Sequence, residues 1–369
     1  MTVRVLLHNW RDLHHPEAGG AEKYLVTVAQ GLAARGHDVT FRTAAYPGAL
    51  PDERTGGVHY VRRGGHYSMY PRALAATGRR RPDVVVDVQN GVPYLSPLAT
   101  RAPVVNLVHH VHREQWPVFF GPRTARAGWW VESRLAPAVY RGNRYVTVSD
   151  ATRAELVSLG VAADRITIIH NGTDAVAGDA PRSATPRVVV LGRLAPQKRV
   201  ELAVTSVAAL VTELPGLHLD VVGSGWWEPQ IRAHVRALGV ERHVTFHGHV
   251  SEAEKHRLLA AAWVHAMPSL KEGWGLVVVE AGVHGTPTVA FRDAGGPADS
   301  VRDGETGLLV GGGVEGHDSP ELTAALRRLL LDDGLRGRLA TAARGWVGRF
   351  RWEDTVTAWE RLLEDEAGR

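Results

Sequence analysis

Two carboxylates eight positions apart, Glu272 and Glu280, flank a Gly-x-Gly in the run Ser269-Leu-Lys-Glu-Gly-Trp-Gly-Leu-Val-Val-Val-Glu-Ala-Gly. Glu272 reads as a loop residue and Glu280 as part of the helix that opens near Leu276. Gly273 and Gly275 leave backbone N–H groups uncovered at that helix start, and an exposed N-terminus of this kind attracts anions. A loop carboxylate beside such amides, with a second carboxylate inside the helix, suits a ligand that carries both phosphate and hydroxyl groups. A nucleotide sugar is one such ligand. The same spacing also arises from a plain turn and an amphipathic helix whose Glu280 faces water.

Other loops add charge to this picture. Leu191-Gly-Arg-Leu-Ala-Pro-Gln-Lys198 follows a strand pattern and leads into a helix. Its Arg193 and Lys198 suit a diphosphate, since a guanidinium fork takes two oxygens while an ammonium acts as a point charge; two solvated loop cations are the alternative. Gly223 and Gly225 follow the next strand and either admit phosphate closely or simply turn the chain. Val244-Thr-Phe-His-Gly248-His-Val250-Ser ends a further strand whose loop can hold a flat base.

Near the N-terminus, Gly19 and Gly20 precede a helix with Glu22 in its first turn, where a carboxylate favours the dipole. His8, His14 and His15 match no regular metal-ligand spacing, so no metal site is expected there. His109, His110 and His112 stand at a strand end, a position from which an imidazole can orient a hydroxyl or move a proton. Which of the three faces inward is left open by the sequence. Trp116, Phe119, Phe120, Trp129 and Trp130 crowd the next segment beside Arg123, Arg126 and Arg134, a mixture that suits core packing, an acceptor groove or a membrane face.

The elements that carry these loops alternate short apolar runs with helical patterns. Strands are expected at Val3–Leu7, Asp38–Phe41, Val84–Val88, Val104–Val108 and Tyr145–Val148, and again at Arg187–Leu191, Leu217–Val222, His243–Phe246, Trp263–Met267 and Thr288–Ala290. This is the rhythm of parallel sheets covered by helices. A small, proline-bearing stretch from Val176 to Pro186 reads as a linker. The expectation is an α/β chain of two doubly wound domains, 1–178 and 187–345, with a last helical segment from Trp346 to Glu366 that packs back toward the first domain. Ligands of such sheets sit outside the carboxyl ends of strands.

Composition narrows the classes. At 369 residues the chain is long enough for two cores, and 43 Lys and Arg against 39 Asp and Glu leave a net charge of only +4. With no like-charge run longer than Arg79–Arg81 and no basic stripe interleaved with aromatics, nucleic acid is not an expected partner. The absence of cysteine excludes disulfides and thiol chemistry and fits a reducing compartment. With no signal-peptide profile at the start and no apolar run long enough for a membrane helix, the expectation is a soluble cytoplasmic protein that can still touch a membrane face.

Taken in order, Gly19-Gly-Ala-Glu22, Arg35-Gly-His-Asp-Val-Thr40, Val148-Ser-Asp150, Ile168-Ile-His-Asn-Gly-Thr-Asp174, Arg193 to Lys198, Gly223-Ser-Gly225, Glu272 to Ala281, Gly285-Thr-Pro287 and Asp303-Gly-Glu-Thr-Gly-Leu-Leu309 resemble the retaining glycosyltransferases of family four. Each motif alone is weak, but the ordered set is specific and spans nearly the whole chain. The resemblance implies the GT-B fold, two Rossmann-like domains facing across a cleft. It also implies a sugar donor carried on a nucleoside diphosphate, UDP or GDP, an acceptor hydroxyl and no essential metal.

It implies roles as well: Arg193 and Lys198 on the donor diphosphate, Glu272 near the transferred sugar, and the amides of Gly273, Trp274, Gly275 and Leu276 on sugar or phosphate. Glu280 would contact the ribose, Gly19 and Gly20 the phosphates, and Gly223, Gly248 and Val250 would help hold the nucleotide. By its place His109 corresponds to the family's histidine near the sugar, with His110 next in line.

Two other activities fit parts of the pattern, a nucleotide-sugar 2-epimerase and a nucleotide-sugar binding module without turnover. A dinucleotide site would rest only on Gly311-Gly-Gly-Val-Glu-Gly316, which comes too late in the chain for that fingerprint.

Overall fold

The structure is a computed structural model and describes residues 1–174, 181–312 and 316–368. The chain divides into two compact units, Met1–Gly172 with Phe350–Arg369, and Thr173–Arg349. The chain crosses between these units at Gly172/Thr173 and Arg349/Phe350. The first part of the expected linker, from Val176 to Ala180, lies outside the described residues, as do the middle positions of the Gly311–Gly316 run.

Among the described residues the first unit holds β1 (Arg4–His8), β2 (Asp38–Thr43), β3 (Asp52–Thr55), β4 (Val58–Arg62), β5 (Val84–Val88), β6 (Val104–Val108), β7 (Arg144–Thr147) and β8 (Ile166–Ile168). They form one sheet in the order β3-β4-β2-β1-β5-β6-β7-β8. Every pairing is parallel except β3 with β4. β5 and β6 are buried along their whole lengths, which is why they read as valine-rich runs, each with one buried polar residue, Asp87 or Asn106. β3 has the opposite character: Asp52-Glu-Arg-Thr is polar and sits at the sheet edge, where charge discourages pairing with other chains.

The second unit holds β9 (Arg187–Leu191), β10 (His218–Val222), β11 (Val244–Gly248), β12 (Val264–Met267), β13 (Thr288–Phe291) and β14 (Gly307–Val310) in the order β11-β10-β9-β12-β13-β14. All pairings in it are parallel. The direction of strand succession reverses between β9 and β12, which makes the crevice at their carboxyl ends the place where ligands of such sheets bind. Val188, Val190, Leu219, Val221, Val264 and Val289 point into a core closed by the helices Val200–Leu210 and Pro320–Leu331.

The terminal segment is not one helix from Trp346. Trp346 and Val347 finish the helix Asp333–Val347, the chain breaks over Gly348–Arg351, and the last helix runs Trp352–Ala367. That helix packs on Gly20–Ala34 of the first unit: the Trp359 indole N–H donates to the Tyr24 hydroxyl at 2.6 Å, and Arg35 pairs with Glu360 at 2.6 Å. Any side chain at Gly31 would run into Val356, so the close approach of the two helices needs a glycine there.

Candidate active site

In the second unit, the loops after β9, β10, β12 and β13 are stitched together by their own backbones. Past β9 the chain runs through Arg193 into a short 3-10 turn, Pro196–Lys198, and Arg199 adopts a left-handed φ of 47° before the helix Val200–Leu210 begins. Past β12 it runs through Glu272 to Gly275, whose φ of 85° sets the start of the helix Leu276–Val283. The amide of Leu270 donates to the Gln197 carbonyl at 2.8 Å and joins the two loops. Glu272 in turn donates its amide to Ala294 O at 2.8 Å and accepts from Gly296 N at 3.0 Å, so the turn after β13 clamps it from the other side.

This stitching sets one side chain against another. The Lys198 ammonium donates to Glu272 Oε1, with the two side chains 25% and 15% exposed. The sequence gives Lys198 and Glu272 separate tasks on separate loops; the structure brings them into direct contact at the β9/β12 crevice. Arg193 is half-buried on the same loop as Lys198. The Trp274 ring is buried, so its contribution to a ligand would come from the backbone.

Glu280 lies within the helix Leu276–Val283 and is buried, not solvated. Its Oε1 accepts from Lys255 Nζ at 2.8 Å. Gly223 and Gly225 have a packing reason. A side chain at Gly223 would collide with the Gly192 carbonyl and one at Gly225 with that of Leu194, because the loops after β9 and β10 are joined through Leu194 N to Ser224 O at 2.9 Å. Gly248 returns a carbonyl to Gly223 N at 2.8 Å, and Val250 packs against the small core around Leu258 and Leu259.

In the first unit, Gly19 and Gly20 are exposed ahead of the helix Gly20–Ala34, and the Gly19 amide donates to Glu22 Oε2 at 2.7 Å. Glu22 is buried and also takes the Arg11 guanidinium at 3.0 Å, so it shapes the turn. His8 is fully buried against Asp87 at 3.1 Å. His14 and His15 lie elsewhere on the loop after β1, and no cluster of three or more metal-ligating side chains occurs among the described residues.

The three histidines after β6 separate clearly. His112 Nδ1 lies 2.9 Å from Glu132 Oε1, while Glu132 Oε2 accepts from the Trp116 indole at 2.7 Å. His110 Nε2 lies 3.3 Å from Gln115 Oε1. His109 is buried edge-on against Tyr24, and its Nε2 has no hydrogen-bond partner among the described residues. A buried polar atom of this kind needs an explanation, and a ligand is one. Burial first, then the neighbouring His112, lowers the His109 pKa to about 4, so the ring is neutral near pH 7.

His265, buried in β12, is lowered by burial to about 3. Both rings take up protons more readily in the unfolded chain, whose histidines titrate near about 6.5. The stability they contribute is complete above that value and is lost as pH falls through the folded values. The melting temperature is therefore expected to drop steadily between pH 7 and pH 4, and His265→Gln to make that drop shallower; a slope unchanged by the substitution would count against this account.

The match to known proteins agrees with this layout. Residues 18–177 match the model described as Glycosyltransferase Family 4, and residues 178–346 the one described as Glycosyl transferases group 1. A D-inositol 3-phosphate glycosyltransferase of Acidothermus cellulolyticus is 30% identical over 383 aligned positions, covering 92% of this chain and 84% of the relative. The chain belongs to glycosyltransferase family four. A GDP-mannose-dependent alpha-(1-6)-phosphatidylinositol monomannoside mannosyltransferase of Mycolicibacterium smegmatis is 28% identical to this glycosyltransferase and covers 96% of both chains.

Among solved structures, sucrose-phosphate synthase of Thermosynechococcus elongatus superposes with a TM-score of 0.80 at 20% identity, covering 98% of each chain. Anabaena HepE in complex with UDP and glucose gives a TM-score of 0.78 at 19% identity, covering 98% of this chain and 100% of that one. The fold of the glycosyltransferase is GT-B, and its reaction is sugar transfer from a nucleotide sugar to an acceptor. No helix among the described residues is long and apolar enough to cross a membrane.

Sequence reasoning missed three supports of this site: Gln197, whose carbonyl joins two loops; the Gly295-Gly296 turn that clamps Glu272; and Lys255. A Gly-Gly-Pro one short turn after a strand was a legible signal for the second. A side chain at Gly296 would collide with Gly273 O, which only glycine avoids.

Proposed function

We propose that the enzyme transfers a sugar from a UDP or GDP donor to an acceptor hydroxyl with retention of anomeric configuration. The observation that carries this reading is the Lys198–Glu272 contact at the switch between β9 and β12, with Arg193 on the same loop as Lys198. Arg193 and Lys198 hold the diphosphate, and as the bond from the sugar C1 to the phosphate oxygen breaks with its electron pair moving to oxygen, their charges stabilise the leaving group. The acceptor oxygen attacks C1 from the same face, and its proton passes to a departing phosphate oxygen. No metal is required by this scheme.

Glu272 accepts from sugar hydroxyls, and the amides of Gly273, Trp274, Gly275 and Leu276 at the first turn of the helix take sugar or phosphate oxygens. Glu280 is assigned to the ribose, with Gly223, Gly248 and Val250 along the nucleotide. For the first unit, the exposed backbone of Gly19 and Gly20 is assigned to phosphate. His109 Nε2 is assigned to a sugar hydroxyl. A neutral imidazole with pKa about 4 is suited to hydrogen bonding rather than to acting as a general acid near pH 7.

Melting curves with UDP, GDP, ADP and dTDP test the donor. A ligand at roughly a hundred times its dissociation constant adds about 2.7 kcal/mol to the native state, so one base should raise the melting temperature by several degrees. The matching nucleotide sugars should then release nucleoside diphosphate, and NMR of the product should find the donor's own anomeric configuration. Absence of stabilisation by all four, or an inverted product, would sink the respective part of the reading.

A further inference from the structure

We propose that Lys255 is a positioning residue for nucleotide recognition, holding the Glu280 carboxylate in the orientation that reads the donor ribose; this rests on the assignment of Glu280 to the ribose made above. Lys255 lies on the helix Glu252–Ala261, which follows β11, and Glu280 on the helix Leu276–Val283, which follows β12. Both side chains are buried, and the Lys255 ammonium lies 2.8 Å from Glu280 Oε1. Its two other close contacts go to Glu252, 2.9 Å from Oε1 and 2.7 Å from Oε2. An ammonium has three hydrogens to donate, and these three contacts match them.

The arrangement has a direction. Glu252 is exposed and tethers the ammonium from the solvent side, while Glu280 receives it from within an otherwise apolar helix, Leu-Val-Val-Val-Glu-Ala-Gly-Val. A buried carboxylate without a partner of this kind would turn toward other donors. With Lys255 fixed on one oxygen, the plane of the carboxylate is set. Accepting two vicinal ribose hydroxyls demands that geometry, because both bonds depend on one rotamer.

The test compares UDP and GDP with their 2′,3′-dideoxy counterparts by calorimetry, in the wild type and in Lys255→Met, Lys255→Arg, Glu280→Gln and the double variant Lys255→Met/Glu280→Gln. The wild type should bind the ribose form of its preferred nucleotide about tenfold or more tightly than the dideoxy form, as expected for hydrogen bonds to a charged group. Lys255→Met should reduce that preference to the level of Glu280→Gln, Lys255→Arg should restore part of it, and in turnover the loss should appear in the donor KM with kcat little changed. In the Glu280→Gln background, Lys255→Met should have no further effect. The double variant leaves neither charge buried alone, so this comparison holds even where Lys255→Met by itself fails to fold.

Equal binding of ribose and dideoxy forms by the wild type would remove Glu280 from the ribose and take the proposal with it. A wild-type preference kept in full by Lys255→Met would overturn the role of Lys255 alone. A further loss of affinity on adding Lys255→Met to Glu280→Gln would mean that Lys255 touches the donor itself, which also overturns a positioning role.

Discussion

Lys198→Met lowers kcat/KM for every accepted donor by roughly a hundredfold to a thousandfold, the range typical of removing one preorganised group from a developing oxyanion. The loss falls mainly on kcat, because the charge Lys198 meets is larger in the departing diphosphate than in the bound donor. Lys198→Arg recovers only part of it, since a planar fork does not reproduce a compact ammonium at the same point. The fold should be little affected. Lys198 and Glu272 are both partly exposed, and an ion pair in that setting contributes about 0–1 kcal/mol. Steady-state kinetics beside a melting curve checks both halves; a loss below about tenfold would take Lys198 out of leaving-group stabilisation.

Gly223→Ala is expected to cost about 2–4 kcal/mol of stability and most of the activity together. Gly223 has a φ of 123°, which side-chain-bearing residues rarely adopt, and the added methyl would meet the Gly192 carbonyl oxygen and carbon. Neither obstacle is a flexible side chain, so the two loops must part. Gly192 immediately precedes Arg193, and Gly192 N bonds to Val222 O at 3.0 Å; parting the loops therefore carries Arg193 away from its place. Gly248→Ala is the control. Its φ of 65° is also left-handed, but nothing lies within reach of a methyl there, so it should cost only about 1–2 kcal/mol. Equal melting temperatures for the two variants would refute the collision account.

The strands of the two sheets were legible where they are buried on both faces. Val84–Val88, Val104–Val108 and Arg187–Leu191 have the bounds read from their valine runs alone. The hairpin of β3 and β4 was not, because Asp52-Glu-Arg-Thr carries edge-strand charge in place of an apolar run. The single terminal helix from Trp346 was a misreading of two: both stretches have helical periodicity, and the break at Gly348–Arg351 contains one glycine and no proline.

Within the candidate site, the residues proposed for chemistry were legible as strand-end residues, since each follows an apolar run. What it hid were the pairings. Lys198 and Glu272 are 74 positions apart and meet only because β9 and β12 are neighbours, a fact of strand order that no local pattern encodes. Lys255 was hidden for a different reason: a lysine three residues after a glutamate on a helix reads as a surface pair, and its second partner comes from another helix. Among the three histidines, the choice depended on Glu132 and Gln115 occupying His112 and His110, which a list of strand ends does not contain.

The last helix also has a consequence for how the protein is made. Thr173–Arg349 is one uninterrupted stretch and can complete its core while the ribosome is still adding residues. The first unit cannot close at that point, because Trp352, Val356, Trp359 and Leu363, all buried, belong to it and follow the whole of the second unit in the chain. The usual order of N-terminal domain first is thereby inverted. The surface of the helix Gly20–Ala34 around Tyr24 stays uncovered until the helix Trp352–Ala367 has been made, so a nascent chain stalled before Phe350 carries a finished second unit and a first unit open to chaperones and proteases.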